Sequence, residues 1–379
     1  MMRHVLVFCD WFTPAKRAGG PVKSLEGILG TLPDDVSAIV VTSDRDLGAK
    51  EPYPGLSGRV IPRGRHAILF VNHRSPLHWA RALRYIRRRP VGLLYLNSLW
   101  SRRSTWAPLI FYRLGAFGPK PPIALAPRGE MGQGALSLKS HRKAVVLRPL
   151  VRVLRLFPIT WHVSSVGEAA DLRKLVPRAV VLVAPDAVGD IPRNEALPSG
   201  PQPLWVFLGR VAPVKNIHFA LEAMRHLTSP VTLDIFGPIE DPSYWERCQS
   251  VISTLPKVIN TRYRGSLDPS DAPSVLAQYD TMLLPTLGEN FGHVIAESLS
   301  AGCPVVCSDR TPWTDVLENG GGLALALEPA LWRSHLEALA SATAAERTAA
   351  KEEALRTYSA RWRGSDFANP LVMALNGPA

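Results

Sequence analysis

The chain has 379 residues, 46% of them apolar and 20% charged, with a formal net charge of +12. That composition excludes a disordered chain and leaves room for two domains, and no apolar run approaches the roughly eighteen residues of a membrane span. The positive excess calls for an anionic partner, whether nucleotide phosphate, nucleic acid or an acidic membrane surface, and charge alone does not choose among them.

At the N-terminus, Met1–Asp10 is too short in its apolar part for a secretory signal and meets an acid at once. It reads as a buried first strand, Val5–Cys9, of a protein expected to stay in the cytosol. Further strand candidates are Ser37–Thr42, Ala67–Val71, Gly92–Leu96, Pro122–Ala126, Thr160–Ser164 and Ala179–Ala184, with amphipathic segments such as Val22–Leu32 and Leu77–Arg88 between them. Apolar runs alternating with helical patterns predict a doubly wound parallel sheet. Pro192, Pro198, Gly200, Pro201 and Pro203 then mark a linker between Asp186 and Pro203. A second α/β series follows, with strands at Leu204–Leu208, Val231–Phe236, Val258–Tyr263, Thr281–Leu284 and Pro304–Cys307, and a helical tail from Ala330.

The expected organisation is an N-terminal domain over 1–190 and a second domain over 200–355, with a tail from about 356 to 379 packing back on the first. Two Rossmann-like doubly wound α/β domains facing one another across a cleft would bind ligands at the C-terminal ends of both sheets. Cys9, Cys248, Cys303 and Cys307 fit a reducing compartment. Cys303 and Cys307 read as ends of one strand, about 13 Å apart and too far to share a metal, so a packing role is expected.

The segment Pro285–Glu297 concentrates the chemistry. Glu289 sits in a glycine-rich turn and Glu297, eight residues on, about two turns along a short predicted helix. Carboxylates accept paired hydrogen bonds from sugar diols, and a helix N-terminus draws anions, so the arrangement suits a phosphorylated, polyhydroxylated ligand. Upstream, Gly209 closes a strand, and Arg210 and Lys215 stand near the next helix N-terminus, where a diphosphate would be neutralised.

Gly209-Arg210 with Lys215, Phe236-Gly237-Pro238, Arg264-Gly265-Ser266-Leu267, and Gly288-Glu289-Asn290-Phe291-Gly292 through Glu297 into Ala301–Val306 resemble the donor domain of family-4 (group 1) retaining glycosyltransferases of the GT-B fold. The resemblance runs from about residue 204 to 320. It is looser earlier, where Phe12-Thr13-Pro14 with Ala18–Pro21 is similar to the glycine loop after the first strand, and Ala126–Glu130 to a motif of exopolysaccharide enzymes. The resemblance implies that Arg210 and Lys215 bind the donor diphosphate, that Glu289 holds the transferred sugar, and that Glu297 accepts from the ribose hydroxyls. Backbone of Asn290, Phe291, Gly292, Gly19 and Gly20 would approach sugar and phosphates, and Gly237, Pro238, Gly265, Ser266 and Leu267 would frame the base. The implied reaction retains anomeric configuration by front-side attack. Cations aimed at the leaving phosphate would stabilise the developing charge, and no metal or other obligatory cofactor is expected. Glu289 as a covalent nucleophile is the alternative, but no second carboxylate at suitable spacing announces its acid partner.

Three further residues are candidates for the site. His162 ends a first-domain strand and reads as a satisfied core histidine or a sugar contact; His293 neighbours Glu289; Arg128 stands at a strand end as a contact to phosphate or to an acidic acceptor. Asp44-Arg45-Asp46 has the form of a metal-binding D-x-D, which is common by chance. Arg142, Lys143, Arg148, Arg152 and Arg155 beside a leucine stripe, with Arg81–Arg89 as a second cluster, read as solvated helix surfaces or as contacts to anionic lipid. The partners expected are a nucleotide-diphosphate sugar and a saccharide or lipid-linked saccharide acceptor, in surface or extracellular polysaccharide assembly. A sugar-nucleotide epimerase and a basic nucleic-acid-binding protein are the rival readings, the latter lacking any recognisable module.

Overall fold

The computed structural model describes residues 3–131, 149–186, 196–363 and 368–377. The chain divides into two compact units, residues 1–189 with 367–379, and residues 190–366.

The first unit is built on an eight-stranded sheet of β1 (Arg3–Cys9), β2 (Val36–Ser43), β3 (Val60–Arg63), β4 (His66–Val71), β5 (Val91–Asn97), β6 (Ile123–Ala126), β7 (Ile159–Val163) and β8 (Val180–Val183), in the order β3-β4-β2-β1-β5-β6-β7-β8. Every pairing is parallel except β3 with β4. Successive strand side chains point to opposite faces, and here both faces are buried. Leu6, Phe8, Ile39, Val41, Leu94 and Leu96 face one core, whereas Val5, Val7, Ala38, Val40, Leu93 and Tyr95 face the other. That double burial produces the continuous apolar runs seen in the sequence.

Helices α1 (Gly20–Gly30), α2 (Pro76–Arg87), α3 (Ala107–Arg113), α4 (149–154) and α5 (Val166–Leu175) cover these faces. Proline at the first turn and a Ser75 hydroxyl accepting the His78 N–H (3.3 Å) start α2. The C-terminal helix Pro370–Asn376 belongs to this unit, with Leu371 and Ala374 packed in the same core as Leu25 and Ile28 of α1.

The second unit holds a wholly parallel six-stranded sheet of β9 (Leu204–Leu208), β10 (Val231–Phe236), β11 (Ile259–Gly265), β12 (Thr281–Leu284), β13 (Val305–Ser308) and β14 (Gly322–Leu325), ordered β11-β10-β9-β12-β13-β14. Its helices are α6 (Ile217–Met224), α7 (Pro242–Ile252), α8 (Ala272–Leu276), α9 (His293–Ser300), α10 (Thr314–Val316), α11 (Pro329–Ser341) and α12 (Ala344–Arg363). α12 runs unbroken to Arg363, and the change of unit falls at residue 367. It is anchored by two buried cations. Lys351 donates to the Ala277 carbonyl (2.9 Å), and burial holds its ammonium below the ordinary lysine range. Arg347 lies 3.4 Å from Asp280, whose carboxylate also accepts the Leu204 N–H (2.8 Å) at the start of β9.

Strands β3 and β14 carry little sequence signal, being four residues each and partly exposed. Cys303 lies just ahead of β13 rather than within it, and both Cys303 and Cys307 are fully buried thiols raised to about 12 by desolvation.

Gly237 adopts φ +138°, and a Cβ there would fall 1.8 Å from the Gly209 carbonyl oxygen. Gly237→Ala is therefore expected to destabilise the second unit by roughly 2–4 kcal/mol in urea unfolding. Gly288→Ala, where an added Cβ meets nothing within 4 Å, should stay within about 0.5 kcal/mol of the parent.

Candidate active site

In the second unit, three loops at the C-terminal sheet edge are joined through their glycines. The Gly209 N–H donates to the Phe236 carbonyl (3.0 Å), the Gly237 N–H to the Gly265 carbonyl (2.8 Å), and the Tyr263 hydroxyl to the Gly237 carbonyl (2.8 Å). Val211 and Pro238 continue the ladder (2.9 Å). The predicted base-framing residues Gly237, Pro238 and Gly265 are thus brought against the turn that carries Arg210, with Ser266 and Leu267 following directly.

Lys215 ends a short 3-10 turn, Pro213–Lys215, and Asn216 turns through a left-handed conformation (φ 55°) into α6. The Val214 carbonyl accepts both the Leu287 N–H (2.8 Å) and the Thr286 hydroxyl (3.1 Å). Ser308 Oγ holds the Thr286 carbonyl (2.6 Å), and the Glu289 N–H donates to the Arg310 carbonyl (3.2 Å). These bonds place Lys215 Nζ 2.6 Å from Glu289 Oε1, both side chains largely buried at 16% and 10% exposure. A cation and a carboxylate 74 residues apart in sequence meet at a glycine-rich loop.

Arg210 is placed differently: its guanidinium reaches Glu240, and both side chains are half exposed. Such a pair contributes on the order of 0–1 kcal/mol. Phe291 packs between Trp313 and His293, at ring-centroid distances of 5.6 and 4.7 Å, and Trp313 Nε1 donates to the Phe291 carbonyl (2.5 Å). Gly292, at φ 84°, then opens α9 with no side-chain cap, the end of a helix that favours anions. Asn290 lies in the loop just before it. Glu297 is the fifth residue of α9 and 8% exposed. It is therefore one turn into the helix, not two, because α9 begins four residues after Glu289.

In the first unit, Gly19 (φ 63°) and Gly20 open α1, and the loop before them is held by Asp46, which accepts the N–H groups of Lys16 (2.9 Å) and Arg17 (3.3 Å). Asp44 is bound by Arg45 Nε (2.9 Å) and Ser57 Oγ (2.6 Å). Both D-x-D carboxylates thus serve the local structure, and among the described residues no group of three His, Cys, Asp or Glu is placed to hold a metal.

Arg128 and His162 belong to a buried network. Arg128, at φ 54°, donates from Nε to Asn97 Oδ1 (2.6 Å), from Nη2 to Tyr95 Oη (3.0 Å), and forms an ion pair with Asp186, which also binds Ser24 Oγ (2.6 Å) on α1. Since Arg128 can only donate, the Tyr95 proton goes to His162 Nδ1 (2.7 Å), and the Nε2–H of His162 donates to the Ala184 carbonyl (3.0 Å). Both ring nitrogens of His162 are occupied. Burial, then the Arg128 charge, lowers its pKa to about 4, while the carboxylate of Asp186 keeps Arg128 firmly protonated. Glu168 sits next to this network, accepting the Gly129 N–H (2.7 Å) and the Ser164 N–H (2.8 Å). Asp186, Tyr95, Asn97 and Glu168 were not singled out from the sequence; an acid right after a strand end, as at Asp186, was the available signal. Arg142, Lys143 and Arg148 lie outside the described residues.

Two parallel-sheet α/β units of this kind are the GT-B fold. The structure of Anabaena Alr3699/HepE in complex with UDP and glucose matches with a TM-score of 0.66 at 17% identity, covering 99% of this chain and 98% of that one. That of WaaG, a glycosyltransferase involved in lipopolysaccharide biosynthesis, matches with a TM-score of 0.60 at 13% identity, over 99% and 98%. Residues 190–360 match the family of glycosyl transferases group 1, so the second unit carries that family's domain. The O-antigen chain mannosyltransferase B of Escherichia coli is 30% identical over 125 residues, 31% of this chain and 32% of that protein. A phosphatidyl-myo-inositol mannosyltransferase of Mycobacterium leprae (strain TN) is 30% identical over 197 residues, 48% and 50% respectively. The chain spans between a third and a half of the length of these curated relatives.

Because His162 is neutral in the native state to about pH 4 but titrates near 6.5 when unfolded, the unfolded state binds the extra proton between those values. Stability contributed by the neutral ring is complete above pH 6.5 and falls as pH drops toward 4, by roughly 3 kcal/mol. His162→Gln should flatten this acid limb by about one proton in urea unfolding from pH 4 to 7; an unchanged slope would show that the ring does not stay neutral.

Proposed function

We propose that the protein is a retaining glycosyltransferase that moves a hexose from a nucleotide-diphosphate donor to a lipid-linked saccharide, in surface or extracellular polysaccharide assembly at the inner face of the cell membrane. The observation that carries this reading is the Lys215–Glu289 pair, set at a glycine-rich loop inside the group 1 domain. Cleaving a sugar–diphosphate bond builds negative charge on the departing oxygen and positive character on the sugar. Lys215 answers the first and Glu289 the second. A diphosphate arriving at the C-terminal sheet edge competes with Glu289 for Lys215 and with exposed Glu240 for Arg210. Its charge is also favoured at the uncapped start of α9. Glu297, one turn farther, is the acceptor for the ribose diol, and Gly237, Pro238, Gly265, Ser266 and Leu267 flank the base.

Lys215 and Arg210 supply the positive charge that a metal would otherwise bring, so the reaction is metal-independent and uses no cofactor beyond the sugar nucleotide. Mannosyl transfer in the names of two relatives favours a hexose donor, and their O-antigen and phosphatidylinositol designations favour a lipid-linked acceptor. The epimerase reading is not favoured, since the relatives matched are transferases.

Lys215→Ala and Arg210→Ala should each lower turnover on UDP-, GDP- or ADP-hexoses by about two orders of magnitude, the usual cost of a lost transition-state donor. Near-normal rates in both would refute the phosphate assignment. Glu297→Ala should raise the dissociation constant of the cognate nucleoside diphosphate, identified by a thermal-shift screen; an unaltered constant would remove its ribose role. Transfer should survive EDTA.

A further inference from the structure

The net charge of the chain is unevenly distributed. Residues 52–167 contain twenty Lys and Arg and a single carboxylate, Glu130, whereas the remainder holds 24 basic and 31 acidic residues. Glu130 is turned inward, accepting the Leu99 N–H (2.6 Å) and Ser98 Oγ (3.0 Å). The stretch includes α2, α3 and α4, whose inner sides share one core: Trp79 of α2 meets Phe111 of α3 (5.2 Å between ring centroids), and Tyr112 of α3 meets Phe157 just beyond α4 (6.3 Å).

The outer sides of these three helices show two kinds of side chain. Arg81, Arg84, Arg88, Arg113, Arg152 and Arg155 are exposed. Among them stand exposed aliphatic groups: Ile110 is 59% exposed, Leu114 74%, Leu156 72% and Leu77 57%. α5, in the same layer, adds one outward acid, Asp171, already paired with Lys174 (2.7 Å).

We propose that this face of α2, α3 and α4 docks on an anionic bilayer, with Ile110, Leu114 and Leu156 entering the headgroup–acyl boundary and the arginines ringing them at the phosphate level. Arginine stems extend along apolar surface and keep their heads at the lipid phosphates. The two contributions reinforce each other, because aliphatic insertion provides a salt-resistant part and the arginines a salt-sensitive part. A nucleic acid would use the charge but leaves the exposed isoleucine and leucines without an apolar partner, which a bilayer supplies. The inference stands apart from the donor site, which lies in the other unit.

The test is co-sedimentation of the full chain with vesicles of phosphatidylcholine alone and of phosphatidylcholine with phosphatidylglycerol, in low and physiological salt. The parent should prefer the anionic vesicles and keep part of its binding at the higher salt. Arg81→Gln with Arg84→Gln and Arg88→Gln should weaken that binding on the order of 100-fold, at roughly fivefold per charge. Leu114→Ser with Leu156→Ser should cost about tenfold or more and remove the salt-resistant part. Both variants should keep the parent's circular dichroism, thermal midpoint and nucleotide affinity, which separates loss of docking from misfolding and from failure of the donor-site reading. Vesicle binding equal to the parent's in both variants would overturn the proposal. So would a parent that ignores anionic vesicles but binds a duplex oligonucleotide through the same arginines.

Discussion

The close approach of two backbones governs the second unit. The Gly209 carbonyl occupies the space where a side chain at residue 237 would stand, so β9 and β10 can end side by side only with glycine there. From that contact the Gly209–Gly237–Gly265 ladder follows. The turn that leaves β9 is thereby fixed in direction, and its Val214 carbonyl is offered to Thr286 and Leu287. The meeting of Lys215 with Glu289 is thus a result of backbone geometry, imposed before any attraction between the charges is counted. Removing two charges from water costs several kcal/mol each, and the attraction between them repays that only in part. A largely buried ion pair at a loop edge is therefore poorly explained as a device for stability. It is well suited to exchange, since an incoming anion and diol can take over each partner's role without either charge being stranded.

The first unit uses buried polar groups in the opposite manner. Asp186, Arg128, Tyr95 and His162 form a chain in which each donor and acceptor is already assigned, and the fixed direction of the guanidinium protons decides the histidine tautomer. Such a network links β5, β6, β7 and the segment after β8, and through Ser24 it reaches α1, whose first turn carries Gly19 and Gly20. Opening it would leave a buried cation or carboxylate unpaired, so these residues act by holding the glycine loop's helix in place. A strand-end arginine looks like a ligand contact in sequence. Here the acid that satisfies it lies 58 residues later.

What sequence could disclose follows from the same contrast. Parallel strands buried on both faces leave unbroken apolar runs, and those were legible almost to the residue, as with Val36–Ser43 and Thr281–Leu284. Strands β3 and β14 left no such mark because they are short and half covered. Lys215, Glu289 and Gly292 were legible because glycine spacing announces a loop. The pairing of Arg210 with Glu240 was not, since it depends on how two loops lie against each other. The D-x-D form misleads for a related reason: three letters cannot tell a metal ligand from Asp46 holding backbone N–H groups.

Charge is the property for which the whole-chain figure is least informative. Electrostatic attraction reaches only about 8 Å at physiological ionic strength, so a partner responds to the face it meets and not to the sum of +12. One long stretch bears twenty cations and a single inward-turned carboxylate, and acids from outside it meet only some of those cations, as Glu26, Asp34 and Asp186 do with Arg63, Arg65 and Arg128. The same separation bears on the donor site. Lys215 and Arg210 each lie against a carboxylate, so on the proposed reading a nucleotide would be recognised by exchange of local partners and not by a broad positive field. The two proposed anionic ligands, one a small diphosphate and one an extended surface, would then be served by one chain without competing, because one requires matched geometry and the other only density of charge beside exposed aliphatic side chains.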